Sequence, residues 1–176
     1  PDLDCSASGR ASAAGKSAVH VLALSAVWLT FAAGGVVFSE PAPVDVLSAG
    51  LLILLPAVGL VLVSPLLLTY ISIWLVAAAG AYLASTMSRD MADSLTHTSV
   101  SLFLYLVSFV IAAFVARQPI AHTRLILSAW MFAALIAAGT GLAGYTHALP
   151  GAYEMFTKFD RVAGTFKDPN VFGPFL

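Results

Sequence analysis

Long apolar stretches alternate with short polar segments along most of the chain. Residues 19–38, 98–116 and 125–145 are each apolar over about 20 positions, which is the helical length needed to cross a hydrocarbon core of about 30 Å. Because lipid offers the backbone no hydrogen-bond partners, a spanning segment must satisfy its own polar groups. We therefore predict that each stretch is a membrane-spanning α-helix.

One apolar stretch, residues 46–87, is too long for a single span. As one helix its 42 residues would reach about 63 Å, about twice the hydrocarbon thickness. Ser64 and Pro65 lie near its middle, and a proline inside a helix removes a hydrogen bond and clashes with the preceding turn. The pattern predicts a tight helical hairpin with arms at residues 46–63 and 66–87.

These elements define the predicted fold class: an all-α, polytopic transmembrane helical bundle with about five spans. A sixth span is expected to begin at residues 171–176. Residues 1–17 are expected to form a cytoplasmic polar tail, and residues 18–176 the multi-span domain. The chain starts without methionine and stops inside an apolar run, so we expect it to be the N-terminal part of a longer protein.

Composition supports a membrane protein and excludes other classes. Hydrophobic residues make up 60% of the chain and charged residues 10%, whereas a soluble domain has about 25% charged residues. A soluble fold of this size could not bury so much apolar surface. The net charge of -1 argues against a nucleic-acid partner.

The basic residues predict the orientation. The loop at residues 39–45 contains no Lys or Arg, and such loops usually face away from the cytoplasm. With the N-terminus in the cytoplasm, seven of the nine acidic residues lie outside, and no charged residue falls inside a span. Ion-coupled transporters usually place a charged residue at membrane depth, so we expect any chemistry to take place at the outer interface.

Two outer loops have polar residues with a simple structural interpretation. In the first, two prolines stiffen the turn, and Asp45, which follows them, is placed to cap the next helix. In the second, Asp90, Asp93 and His97 would share one helical face and could ligate a divalent metal. A solvated helix end explains the same spacing, and we expect no metal and no cofactor.

The third outer segment is the most informative. Residues 150–161 are predicted to form a short amphipathic helix. Its aromatic residues would lie in the interface plane and its charged residues on the opposite face: Tyr153, Phe156 and Phe159, and Glu154, Lys158 and Arg161. Further on, Gly164 permits a turn, and Asp168 followed by Pro169 is typical of a helix start. From its residues alone, we interpret the segment as a loop that enters the next span, and whether this loop also binds an anion near Arg161 stays open at this point.

The residues from Arg161 to Gly173 resemble a family signature. They read Arg-x-x-Gly-Thr-Phe-x-Asp-Pro-Asn-x-Phe-Gly, which is similar to the signature of the O-antigen ligase and polymerase superfamily. The Gly-Gly pair followed by Glu40-Pro-Ala-Pro-x-Asp45 is similar to the first outer loop of bacterial members. Gly164, Asp168, Pro169 and Gly173 are the structural positions of the motif.

The resemblance implies a multi-pass glycosyltransferase of the bacterial inner membrane. Such an enzyme moves a glycan from an undecaprenyl-diphosphate carrier to lipid A core, or to another lipid-linked repeat, at the periplasmic face. It uses no cofactor and no metal, and its partners are the donor, the acceptor and membrane lipids. The resemblance also implies a catalytic histidine in a long loop beyond Leu176.

Several residues are candidates for this chemistry. Arg161 is the candidate catalytic residue, because a guanidinium can bind a diphosphate through two parallel hydrogen bonds. The candidate substrate-binding residues are Lys158, Lys167, Asn170, Glu40 and Asp45. The alternative is half of a polytopic transporter or permease, which only the architecture favours.

Overall fold

Seven helices and one two-stranded hairpin make up the part of the chain that the structure describes. The structure is a computed structural model that describes residues 3–39, 41–148 and 150–176, with side chains from residue 17 onward. The helices are α1 (Leu3–Ala33), α2 (Pro43–Ala57), α3 (Pro65–Ser85), α4 (Met91–Arg117), α5 (Pro119–Tyr145), α6 (Ala152–Phe156) and α7 (Pro169–Phe175). The strands are β1 (Thr157–Lys158) and β2 (Arg161–Val162), which pair antiparallel.

Three helices, α3, α4 and α5, are long and apolar enough to cross a membrane. The apolar part of α1, Ser17–Ala33, and the whole of α2 are shorter. The mostly helical structure and these lengths agree with the predicted class, a helical membrane protein. The number of spans stays a prediction.

The predicted break in the long apolar stretch is confirmed at Pro65. This residue begins α3, and the Ser64 hydroxyl caps the helix by accepting a hydrogen bond from the Leu67 N–H at 3.3 Å. Proline suits this first position because its missing N–H would have no helical partner there. A single helix through residues 46–87 is therefore excluded.

The first arm is shorter than predicted, because α2 ends at Ala57 rather than at residue 63. Gly59 adopts a φ of +70°, which glycine tolerates best. Its N–H donates to the Pro56 carbonyl and the Leu60 N–H to the Leu55 carbonyl, both at 2.9 Å. This pair of bonds is a Schellman cap. Residues 60–64, which are neither helix nor strand, then lead to α3, so the connection is longer than the predicted tight turn.

The chain forms two compact units, and the first of them comprises residues 51–122. Here α3 and α4 pack along each other, with the Trp74 and Tyr105 rings stacked 3.6 Å apart. His122 is buried and lies parallel to the Phe114 ring at 3.7 Å. Its Nδ1 is 2.6 Å from the Phe114 carbonyl oxygen, so Nδ1 carries the proton and caps the end of α4. Within the described residues its Nε2 makes no hydrogen bond.

The second unit comprises residues 1–50 and 123–176, and it is organised by one face of α5. Small buried residues line that face: Ala133, Ala137, Gly141 and Gly144. The spacing of four, four and three residues places them in one stripe along the helix. Because these residues project little or nothing from the helix, other backbone segments can approach its axis closely.

Residues 152–164 lie along this stripe and run in the direction opposite to α5. A Cβ added at Gly144 would lie 2.7 Å from Phe156, and one added at Gly141 would lie 2.7 Å from Val162. Farther down the stripe, Gly164 lies against the Ala137 carbonyl. From Gly144 to Ala137 the helix rises about 10 Å at 1.5 Å per residue. This segment therefore lies beside the C-terminal third of α5 and not beyond its end.

A glycine pair on α5 tests this packing. In the Gly144→Ala variant the new Cβ would lie 2.7 Å from the Phe156 Cβ and 3.1 Å from the Ala152 oxygen, whereas at Gly139 it would meet nothing within 4 Å. We expect Gly144→Ala to lower the free energy of unfolding in detergent micelles by about 1–3 kcal/mol. Gly139→Ala, the matched control, should leave it unchanged or raise it by up to about 1 kcal/mol. Equal effects would contradict the proposed contact.

Candidate functional site

The two segments that carry the family resemblance are hydrogen-bonded to each other. Val37, just after α1, forms a parallel bridge with Phe166. The Val37 N–H donates to the Thr165 carbonyl at 2.9 Å, and the Lys167 N–H donates to the Val37 carbonyl at 2.7 Å. The buried Thr165 hydroxyl also donates to the Gly35 carbonyl. Segments more than a hundred positions apart in sequence therefore form one structure.

Gly164 makes the turn that this structure needs, as predicted. Its φ is +56°, and an added Cβ would lie 2.6 Å from the Phe172 ring and 2.9 Å from the Ala137 oxygen. The Phe166 N–H closes the turn by donating to the Ala163 carbonyl at 3.0 Å. Both the backbone angle and the lack of space therefore require glycine here.

The predicted helix start at Asp168 and Pro169 is confirmed. The Asp168 carboxylate accepts a hydrogen bond from the Asn170 N–H at 2.7 Å, and Pro169 begins α7. The cap involves only the backbone N–H of Asn170. The Asn170 side chain is exposed and takes no part in the cap. At Gly173 an added Cβ would meet nothing within 4 Å, so packing among the described residues does not explain this glycine.

The predicted helix over residues 150–161 is wrong beyond its first turn. Only Ala152–Phe156 is helical, and the chain then forms the β1–β2 hairpin. Its two loop residues, Phe159 and Asp160, have φ angles of 52° and 56°. Two positive φ angles match the type I′ turn, which suits the twist of a two-residue hairpin but usually contains Asn or Gly. The sequence Phe-Asp gives no such signal.

The hairpin brings Lys158 and Arg161 together in a different way from the predicted helix. The two residues are cross-strand partners and both are exposed, while Glu154 stays on α6 and does not share a helical face with them. The Lys158 ammonium donates to the Lys167 carbonyl at 3.0 Å. The Arg161 guanidinium has no hydrogen bond or ion pair within the described residues. Like charges directly opposite each other are destabilising, and a bound anion would relieve this repulsion.

A second polar cluster lies on the same segment and was missed by the sequence analysis. The His147 and Tyr153 rings stack 4.4 Å apart, and the Tyr153 hydroxyl donates to an Asp160 carboxylate oxygen at 2.8 Å. This hydrogen bond, followed by the negative charge of Asp160, raises the pKa of Tyr153 above its ordinary value of 10.0. The hydrogen bond from Tyr153 therefore holds the Asp160 side chain, and with it one residue of the hairpin loop, against α6.

The first outer loop corrects one expectation. Because α2 begins at Pro43, Asp45 lies in its first turn and is not the N-cap. Its carboxylate reaches back to accept a hydrogen bond from the Ala42 N–H at 2.8 Å, as the third residue of a capping box does. Glu40, the other candidate of this loop, lies outside the residues that the structure describes.

The second outer loop has the geometry of a helix end. Asp90 caps α4 by accepting a hydrogen bond from the Asp93 N–H at 3.1 Å. Asp93 and His97 lie one turn apart, with 3.6 Å between carboxylate and imidazole, and both side chains are mostly exposed. Within the described ranges no three His, Cys, Asp or Glu residues are arranged to hold a metal ion.

A pH titration tests the Tyr153–Asp160 hydrogen bond. Because the bond holds the phenol protonated, its contribution to stability is complete below pH 10.0 and is lost as the pH rises through the raised pKa. We expect Asp160→Asn to move the Tyr153 titration midpoint back towards its ordinary value. The measurement is the tyrosinate absorbance difference between each protein and its Tyr153→Phe counterpart. The same midpoint with and without Asp160 would show that the carboxylate is not responsible.

A scan against models of protein families gave no match, and searches of the curated proteins and of the solved structures gave none either. The function is therefore inferred from the residues of the chain and their geometry.

Proposed function

We propose that the chain belongs to a membrane glycosyltransferase of the O-antigen ligase or polymerase type. The enzyme transfers a glycan from an undecaprenyl-diphosphate carrier to lipid A core or to a growing polysaccharide, at the periplasmic face of a bacterial inner membrane. One observation carries the proposal: the two segments that resemble the family are bonded together at Val37, Thr165 and Lys167, next to the exposed Lys158–Arg161 pair.

The reaction requires positive charge at the leaving group. The acceptor hydroxyl attacks the anomeric carbon, its proton passes to a base, and the bond from that carbon to the phosphate oxygen breaks. The diphosphate leaves with the bonding electron pair and gains negative charge. Arg161 binds it with two parallel N–H donors, and Lys158 and Lys167 add positive charge.

The remaining candidates fit the sugar and not the diphosphate. The exposed Asn170 amide offers both a donor and an acceptor to a sugar hydroxyl. The carboxylates of Glu40 and Asp45 can accept hydrogen bonds from hydroxyl groups. Asp45 already accepts one from the Ala42 N–H, which leaves one of its oxygens for a ligand.

The proposed topology has five spans, the start of a sixth at α7, and a cytoplasmic N-terminus. The packing of α1 on α5 supports one part of this topology, an odd number of crossings between these two helices. The Trp28 indole donates to the Ser128 hydroxyl at 3.1 Å, and Gly35 lies against Ala133, so the two helices run in the same direction. If α3 and α4 both cross the membrane, α2 must cross as well for α1 and α5 to be parallel.

A transporter half is the alternative, and one feature favours it. Non-helical backbone lies beside the middle of α5 at Gly35 and Thr165, and transporters use such backbone to bind ions. In this protein, however, the Gly35 carbonyl already accepts a hydrogen bond from the Thr165 hydroxyl, and neither residue is charged. The glycosyltransferase therefore explains more of the site.

Labelling from the periplasm tests the topology. Ala121 and Glu154 are both exposed, so cysteine at either position can react with a membrane-impermeant maleimide. We expect intact cells to label the Glu154→Cys variant, because in the proposed topology the segment that follows α5 faces the periplasm, and to label Ala121→Cys only after permeabilisation. The reverse pattern would invert the topology, and labelling of both positions in intact cells would change the number of spans.

Substitution of Arg161 tests the function. In the full-length protein we expect Arg161→Ala to lower the rate of glycan transfer from a purified lipid-linked donor about 30- to 1000-fold, which corresponds to about 2–4 kcal/mol of lost transition-state stabilisation. Arg161→Lys should retain part of the activity, since it keeps the charge but loses the paired donors.

Arg89 provides the matched control. It is also exposed and lies on the same side in the proposed topology, but it is remote from the signature segment in sequence. Arg89→Ala should transfer glycan at the parent rate and insert equally well. If Arg161→Ala also turns over at the parent rate, Arg161 is an interfacial anchor and the site assignment fails.

A further inference from the structure

The tip of the β1–β2 hairpin presents an aromatic ring that no other described residue covers. Phe159 is 91% exposed, although a phenylalanine usually buries most of its surface. The two other aromatic residues of the segment are already used within the protein. The Phe156 Cβ lies against Gly144, and the Tyr153 ring stacks on His147. Met155, 67% exposed, is the other large apolar side chain that projects from this segment.

The packing of the hairpin on α5 fixes its height relative to the membrane. Phe156 and Val162, at its base, lie against Gly144 and Gly141, in the last two turns of a helix that is long and apolar enough to span a membrane. Phe159 is three residues from Val162, so it lies within about 10 Å of that level. The headgroup layer on each side of the hydrocarbon core is about 5–8 Å thick. The tip is therefore within reach of this layer.

The two basic residues beside the tip also suit a position in the headgroup layer. Lys158 and Arg161 flank the two loop residues and are exposed. An aromatic ring with cations beside it is the usual composition of a surface that binds the membrane interface, since the ring enters the boundary of the acyl chains while the cations stay among the phosphates.

We infer that the hairpin docks on the lipid headgroup layer, with the Phe159 ring inserted at the boundary of the acyl chains. The occupant is the phospholipid of the same leaflet. This contact holds the Lys158–Arg161 pair at the depth of phosphate groups. The inference does not depend on glycosyl transfer, because the insertion can be measured without a donor or an acceptor.

Spin labels measure the insertion directly. The full-length protein, with its other cysteines replaced, is reconstituted in nanodiscs of phosphatidylethanolamine and phosphatidylglycerol. Nitroxides are attached to Phe159→Cys and, as the matched control, to Glu154→Cys, an exposed position on the same segment. We expect the ratio of collisions with oxygen to collisions with a water-soluble nickel chelate to be severalfold higher at position 159.

The two collision partners separate the possible outcomes. A ratio at position 159 that is no higher than at position 154 would show that Phe159 is not inserted more deeply than an exposed position of the same segment, and would overturn the inference. Protection from both reagents would show burial by protein or glycan and would overturn it as well. Because the label removes the ring, Phe159→Trp is measured in parallel with lipids brominated on the acyl chain. Quenching of its additional emission over the parent protein supports insertion, and unquenched emission refutes it.

Discussion

The stripe of small residues on α5 is the constraint on which the rest of the unit of residues 1–50 and 123–176 depends. Residues 133, 137, 141 and 144 lack side chains beyond a methyl group, so the backbone of two other segments can lie directly against the helix. Within a membrane the hydrophobic effect does not drive helices together, and close packing of small residues supplies the attraction instead. Larger side chains along this stripe would push two segments away from α5: the loop that follows α1, which contains Gly35, and the signature segment.

Because these segments lie close to α5, their non-helical backbone N–H and carbonyl groups need hydrogen-bond partners within the protein. Non-helical backbone at membrane depth is tolerated only where its polar groups find partners within the protein or in a water-filled cavity. Here the Val37 N–H and carbonyl are both bonded to the signature segment, and the buried Thr165 hydroxyl bonds to Gly35. The two segments therefore satisfy each other's backbone polar groups.

The sequence predicted the parts of this structure that local chemistry determines. The helix starts at Pro65 and Pro169 and the turn at Gly164 follow from the properties of proline and glycine, and the structure confirms them. The type I′ hairpin was missed because Phe159 and Asp160 adopt positive φ angles without Asn or Gly to signal them. The bond between Thr165 and Gly35 was missed because it joins residues 130 positions apart, and no periodicity reports such a contact.

The candidate site divides into a rigid part and an exposed part, and this division bears on how it works. Gly164, Thr165 and Asp168 are fully engaged in a turn, a buried hydrogen bond and a helix cap, so they can position other groups but cannot bind a ligand without breaking these interactions. The cations of Lys158 and Arg161 project from a short hairpin that this rigid part supports. Preorganised positive charge stabilises a developing anion most effectively, because no reorganisation is needed as the charge appears. The proposed role at a leaving diphosphate requires such a placement, on a hairpin held against the protein and not on a free loop.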